Sequence, residues 1–285
     1  GPSTGLPTRT MQGDLLSTAF LSHGDTKNIM LLPASPEEIF EFAGEAFDLA
    51  EQFQTLVFVM SDLDLGMNNW MADPFQYPRK PLNRGKVLSA EDLEKIEDFS
   101  RYKDIDGDGV PFRTLPGTKH HKAPYFTRGT GHDENARYTE DNVTFEKLLA
   151  RLGKKIETAR QYVPRPVIEK TEGAKIGIIA YGTSHYPIVE SRDILRNQHG
   201  IATSYLRLRA YPFTSELAEF IDSHETVYVV DQNRDAQMLQ LLKMEFDGAR
   251  IDKLRSLTNY DGLPFSTDRF LSLFLNQERG NQNGR

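Results

Sequence analysis

The chain has 285 residues, enough for one large domain or two ordinary ones. A 38% hydrophobic and 26% charged composition is a globular balance that leaves no room for long disorder. The net charge of −7 argues against a nucleic-acid backbone as the main partner. Cysteine is absent, which excludes disulfides, thiolate metal sites, Cys nucleophiles and cysteine-ligated iron–sulfur clusters within the chain.

Read in order, residues 28–32 and 55–60 are short apolar runs bounded by turn signals and predict buried strands. They are too short to span a bilayer, no signal peptide is recognised ahead of them, and the cytoplasm is the expected compartment. Between them, Ser35 as N-cap, Pro36 at the first position and Glu37 and Glu38 in the first turn predict a helix. Ile39, Ala43, Ala46, Phe47 and Ala50 recur at helical spacing as its expected inward face. This is a strand–helix–strand unit of a parallel sheet. From residue 62 to about 124 six prolines break the pattern, only 90–102 reads as helical, and the segment is expected to be an irregular crossover. Residues 142–163 predict an amphipathic helix with Phe145, Leu148, Leu149, Leu152, Ile156 and Ala159 inward, stopped by Pro164 and Pro166. The remainder alternates: strands at 175–181, 202–208, 226–231 and near 250–257, helices at 188–197, 215–223, 235–245 and 267–275, then a disordered tail. Such alternation is the mark of an open α/β sheet. The expected organisation is two α/β units joined by an irregular segment.

The densest polar constellation is residues 1–14. Gly1, Pro2, Gly5 and Pro7 fix an irregular backbone there, and Ser3, Thr4, Thr8, Arg9, Thr10, Gln12 and Asp14 crowd it with hydrogen-bonding groups. Arg9 offers a planar fork for a carboxylate, with Ser and Thr hydroxyls to complete a cradle; the alternative is a solvated turn carrying a surface arginine. Asp104, Asp106, Asp108 and Gly109 imitate the opening of a calcium loop, but Leu115 stands where the bidentate acid is needed, so a structural turn is expected. His120, His121, His132, Asp133 and Glu134 match no standard metal spacing. Residues 177–184 lack the glycine signature of a dinucleotide site.

The stretch G-P-S-T-G-L-P-T-R-T-x-Q-G-D-L, followed by His23-Gly24, resembles the α subunit of 2-oxoacid:ferredoxin oxidoreductases, most closely the 2-oxoglutarate type. Ser61-Asp62-Leu63, Asp106-Gly107-Asp108-Gly109, His132-Asp133-Glu134 and Asp231-Gln232-Asn233 follow as further landmarks in the same order. The resemblance implies a truncated thiamine pyrimidine-binding domain over 1–75, the crossover and helix over 76–165, a transketolase-C-like domain over 166–276 and a disordered tail over 277–285. It implies thiamine-diphosphate chemistry: oxidative decarboxylation of a 2-oxoacid, electrons passing through a [4Fe–4S] cluster to ferredoxin, and the acyl group leaving on coenzyme A. Arg9 is then the substrate carboxylate ligand, Thr18 a second donor at the start of a helix, and Ser3, Thr4, Thr8 and His23 further substrate-facing groups. The family's upstream Tyr-Pro-Ile-Thr-Pro element and its activating glutamate are not in the sequence, and a start at Gly1 reads as part of something longer. Thiamine diphosphate with Mg²⁺ and the cluster are expected on a β subunit in a hetero-oligomer, none of them on this chain alone, with neither nucleic acid nor membrane as partner. A non-catalytic assembly module of the same fold, or a thiamine enzyme of the transketolase or 2-oxoacid dehydrogenase type, are the alternative readings.

Overall fold

The computed structural model describes residues 5–78 and 80–283. Ser3 and Thr4 lie outside them. The first helix, α1 (Leu15–Ala19), precedes β1 (Ile29–Leu31), whose three residues are fully buried. Helix α2 (Pro36–Phe53) begins where Ser35 Oγ accepts the Glu38 amide at 3.2 Å and ends at Gln54, whose φ of 50° stops the helix in the left-handed region. Strand β2 (Val57–Val59) pairs parallel with β1, as the strand–helix–strand pattern predicts.

The buried face of α2 differs from the expected one. Phe42, Leu49 and Phe53 enter the core, Ala46 packs against it, and Phe47 is 72% exposed. Two apolar stripes run at helical spacing along this helix, and the one with the larger rings and leucine buries more area per turn.

The crossover holds only two short helices, α3 (Leu63–Met67) and α4 (Ala90–Lys95), the latter closed by a capping box between Ser89 and Asp92. Helix α5 (Asn142–Ala159) is capped by Asp141, and only its C-terminal half is buried, through Lys155, Ile156 and Ala159. Phe145, expected inward, is exposed.

The second sheet has the order β3–β5–β4–β7–β8. Strand β3 (Val167–Glu169) lies where two prolines predict a linker, and runs antiparallel on the edge, a position that tolerates nearby proline. Strand β4 (Ile176–Tyr181) leads through a 3₁₀ turn into α6 (His185–His199). Strand β5 (Thr203–Leu208) follows, then β6 (Ala210–Tyr211), α7 (Ser215–Asp222), β7 (Thr226–Asp231) and α8 (Gln237–Glu245). The weak apolar run near 250–257 divides into a short helix, α9 (Gly248–Lys253), and strand β8 (Leu254–Thr258). Strands β4, β5, β7 and β8 are parallel. Side-chain alternation sends Ile179, Tyr181, Leu206, Val227 and Val229 to the face covered by α7 and α8. Ile178, Ala180, Tyr205, Tyr228 and Val230 go to the other face, covered by α6 and by α10 (Thr267–Asn283). Helix α10 continues well past the expected end at 275, because Phe270 and Phe274 anchor it and Gln277 Nε2 donates to Ser256 O at 2.8 Å. No helix among the described residues is long and apolar enough to cross a membrane.

Two features join the units. Strand β6, from the C-terminal half, pairs antiparallel with β1, giving the first sheet the order β2–β1–β6. Beside it, Glu38 accepts from Arg207 through both oxygens at 2.6 and 2.9 Å, from Arg209 Nε at 2.9 Å and from the Ala34 amide at 2.8 Å. Burial opposes the charge on Glu38, yet these donors hold its carboxyl below the ordinary range.

Candidate functional site

The polar N-terminal loop, residues 5–14, lies across the C-terminal ends of β4 and β7, where an open parallel sheet presents its ligand crevice. Backbone bonds fix it twice: the Gln12 amide donates to Gln232 O at 2.9 Å and the Thr10 amide to Gly262 O at 3.0 Å. Side chains complete the clamp. Gln12 Nε2 donates to Asp62 Oδ2 at 2.7 Å, and Thr183 Oγ1 donates to the same oxygen at 2.8 Å. Asn233 Nδ2 reaches Gln12 O at 3.0 Å and Asp231 Oδ1 at 3.1 Å, while Gln237 Nε2 donates to Gly13 O at 2.6 Å.

At the root of the clamp sits Asp231, fully buried at the end of β7. Burial pushes its carboxyl up to about 6, against the pull of the Met238 amide, Asn233, the Leu239 amide and the Tyr181 hydroxyl, all of which donate to it. Burial, and then the same carboxylate, raise the Tyr181 phenol well above its usual range. An acid with this set of donors is a structural anchor that orients Asn233 and, through it, the loop.

The clamp leaves one part of the loop facing outward. Thr8 has φ 55°, a left-handed conformation that a β-branched residue adopts only when its surroundings impose it. Its hydroxyl donates to Pro7 O at 2.7 Å and accepts from Arg9 Nη1 at 3.2 Å. Arg9 is exposed, its guanidinium bonds only to Thr8, and it meets no carboxylate among the described residues. Its remaining guanidinium donors are available to an incoming anion.

The expected site residues are therefore spread over different places. Thr8 and Arg9 are adjacent on the outward part of the loop. Thr18 lies in the last turn of α1, which starts at Leu15, on its buried face; its carbonyl accepts from Asn28 Nδ2 at 2.8 Å. His23 lines a different cleft, against α5. The clamp residues Asp62, Thr183 and Gln232 carry no chemical signature of their own, although each follows a strand end where a loop can be received.

The acidic turn has a clear cause. Asp104 caps it by accepting from the Gly107 and Gly109 amides, each at 3.0 Å. Asp104, Asp106 and Asp108 are the one set of His, Asp and Glu among the described residues close enough to share a cation. Lys86 Nζ stands among them, 2.6 Å from Asp106, 2.7 Å from Asp108 and 2.9 Å from Val110 O. His120 pairs with Glu94 at 3.1 Å, whereas His132 bonds to Thr130 O at 2.7 Å, so the histidines do not converge.

Residues 1–79 match the family described as pyruvate flavodoxin/ferredoxin oxidoreductase, thiamine diphosphate-binding. The α subunit of 2-oxoacid:ferredoxin oxidoreductase 2 from Aeropyrum pernix is 32% identical over 250 residues, 85% of this chain and 37% of that protein. The 2-oxoglutarate synthase subunit KorA of Archaeoglobus fulgidus is 30% identical over 242 residues, 84% of this chain and 60% of that protein. The chain thus spans only part of the length of either relative. A solved 2-oxoglutarate:ferredoxin oxidoreductase from Magnetococcus marinus, with 2-oxoglutarate, coenzyme A and succinyl-CoA bound, shares the fold. Its TM-score is 0.82 at 22% identity, over 98% of this chain and 47% of that one.

Proposed function

We propose that this chain, homologous to part of the α subunit of 2-oxoacid:ferredoxin oxidoreductases, presents the loop that binds the 2-oxoacid carboxylate in such an enzyme. The names of its relatives favour 2-oxoglutarate as the substrate. In this reading, residues 1–75 are part of a pyrimidine-binding domain, 76–165 the crossover and helix, and 166–276 a transketolase-C-like domain. The observation that carries the proposal is Arg9: an exposed guanidinium without a carboxylate partner among the described residues, next to a strained threonine, on a loop clamped from beneath.

Thiamine diphosphate, when bound in the assembled enzyme, supplies the electron sink for decarboxylation. The carboxylates of this chain do not fit the Mg²⁺ that accompanies its diphosphate, since the one converging cluster among the described residues already surrounds Lys86. A [4Fe–4S] cluster finds no cysteine here. Both groups are therefore assigned to a β subunit, with ferredoxin and coenzyme A as further partners of the hetero-oligomer, and the isolated chain is expected to be inactive. What this chain contributes is orientation. The fork of Arg9 fixes the carboxylate, Thr8 holds the fork, and the clamp through Gln12 and Asn233 keeps both at a set height above the sheet.

The test is Arg9→Lys in the assembled enzyme. Losing a bidentate charge-assisted contact should cost about 1.5–3 kcal/mol, a rise in KM for the 2-oxoacid of roughly 10–100-fold. An unchanged KM and rate in a correctly assembled enzyme would remove Arg9 from the site. A second measurement is calorimetric titration of the lone chain with thiamine diphosphate and Mg²⁺. No Mg²⁺-dependent binding is expected, and micromolar binding that requires Mg²⁺ would overturn the assignment of the cofactor to the β subunit.

A further inference from the structure

Away from the loop, the exposed half of α5 forms one wall of a cleft of about 560 Å³, whose other wall is built by residues 22–26, 101–102 and 128–132. Four fixed cations line it: Arg101, Arg128, Arg151 and Lys155. Arg101 and Arg151 both stand over the ring of Tyr102, at 5.0 and 5.9 Å. In a chain carrying seven more acids than bases, such a gathering needs a reason.

None of the four has an ion-pair partner among the described residues. Their contacts are to neutral acceptors: Arg101 Nη2 to Gln54 Oε1 at 2.6 Å, Lys155 Nζ to Gln54 O at 3.4 Å, Arg151 Nη1 to Gly109 O at 3.1 Å and Arg128 Nε to Ala136 O at 3.3 Å. Arg101 Nε and Nη1 are buried without an acceptor, while His132, only 9% exposed, turns its Nδ1–H to Thr130 O. Lys155 is equally buried, and burial together with Arg151 and Arg101 lowers its ammonium to about 8. Facing these charges are Asp25 on the opposite wall, and Asp104 and Glu134, which attract Arg151 from the adjoining cleft. The balance stays positive.

We propose that this cleft binds an organic phosphate through its phosphate groups. A single carboxylate would satisfy one guanidinium fork, whereas three forks, one ammonium and unpaired buried N–H groups match the many oxygens and multiple charge of a phosphate or diphosphate. The volume exceeds that of an inorganic ion. Phe145, Leu148 and Leu152 on the α5 wall provide an apolar bed for the body of the ligand. The proposal is independent of the assignment of Arg9.

Inorganic pyrophosphate is the probe, titrated calorimetrically against the chain in its native assembly at low and moderate salt, with inorganic phosphate and succinate as comparisons. Saturable pyrophosphate binding is expected, at least about tenfold tighter than succinate. Arg101→Gln and Lys155→Met should each weaken it by about tenfold or more, the loss of one charge-assisted contact. Because the four cations repel one another, both variants should fold with undiminished thermal stability, which separates a ligand-binding role from a structural one. The inference is overturned by absence of saturable binding at millimolar pyrophosphate, by equal binding of succinate, or by affinity unchanged in both variants. A marked fall in the melting temperature of both variants would likewise overturn it, since that would make the cations structural.

Discussion

Replacing Glu38 by alanine tests the junction between the two sheets most directly. The carboxylate accepts four hydrogen bonds, three of them from guanidinium nitrogens, and Arg207 is only 7% exposed. The alanine variant leaves Arg207 charged, buried and unpaired, while Arg209, more open to solvent, can rehydrate. Breaking a buried pair in this one-sided way costs about 3–5 kcal/mol, much more than the net worth of the pair itself. The double variant Glu38→Met with Arg207→Met removes both charges and should recover most of the loss. Urea unfolding of wild type and both variants, compared at equal m-value, measures the effect. A single-variant loss below about 1 kcal/mol would refute the picture of a desolvated junction. The pH dependence has a definite sign. The Glu38 carboxyl titrates lower in the folded state than in the unfolded one, so its contribution is present above the unfolded value and is lost as pH falls through the folded one.

Asp231→Asn keeps an acceptor for the Tyr181, Asn233 and Met238 donors and removes a charge that burial disfavours. Stability at pH 7 should change by less than about 1 kcal/mol, and the decline of wild-type stability between roughly pH 4 and 6, where the folded state holds the extra proton, should vanish from the melting curves of the variant. Lys155→Met should be more stable than wild type at pH 7, with the gap closing by roughly 2–4 kcal/mol as pH rises from about 8 to 10.5, because the folded lysine loses its proton first. Ser35→Ala should cost about 1 kcal/mol in urea unfolding through loss of the α2 cap. At Gly109, with φ 83°, a Cβ would stand 2.3 Å from Lys155 N, so Gly109→Ala should destabilise by more than about 2 kcal/mol; a neutral result would mean that α5 does not pack so closely on the acidic turn.

Periodicity made the parallel core readable. The strands at 175–181 and 226–231 are nearly continuous apolar runs because both faces are covered, and a run of that kind has few other solutions. Periodicity could not choose between the two stripes of α2, since the choice depends on what α5 and residues 109–111 bring against it. Strand β6 has two residues, below any pattern length, and owes its existence to β1. Helix α10 outlasts its apolar pattern because Gln277 bonds to β8, and the neighbouring Glu278 carboxylate accepts from the Tyr228 hydroxyl. Of the candidate site, the adjacency of Thr8 and Arg9 on one loop is legible from their motif. Thr18 and His23 shared the motif's neighbourhood in sequence but not its position in space. Gln12, Asp62 and Asn233 stand out in the sequence, but their clamp does not, because Gln12 and Asn233 are ordinary amides until a fold sets them 3.0 Å apart through a carbonyl.

The contact between Asn233 and Gln12 spans 221 positions of sequence. On a ribosome adding roughly 5–20 residues per second, the loop therefore emerges about 10–45 s before its clamp exists. Strand β1 waits almost as long for β6. Throughout that interval the loop that will hold Arg9 has no backbone partner from β7, and the fully apolar face of β1 has no antiparallel neighbour. The order of synthesis thus places the finished loop among the last parts of this chain to acquire its shape. Its geometry certifies that the C-terminal sheet has already closed.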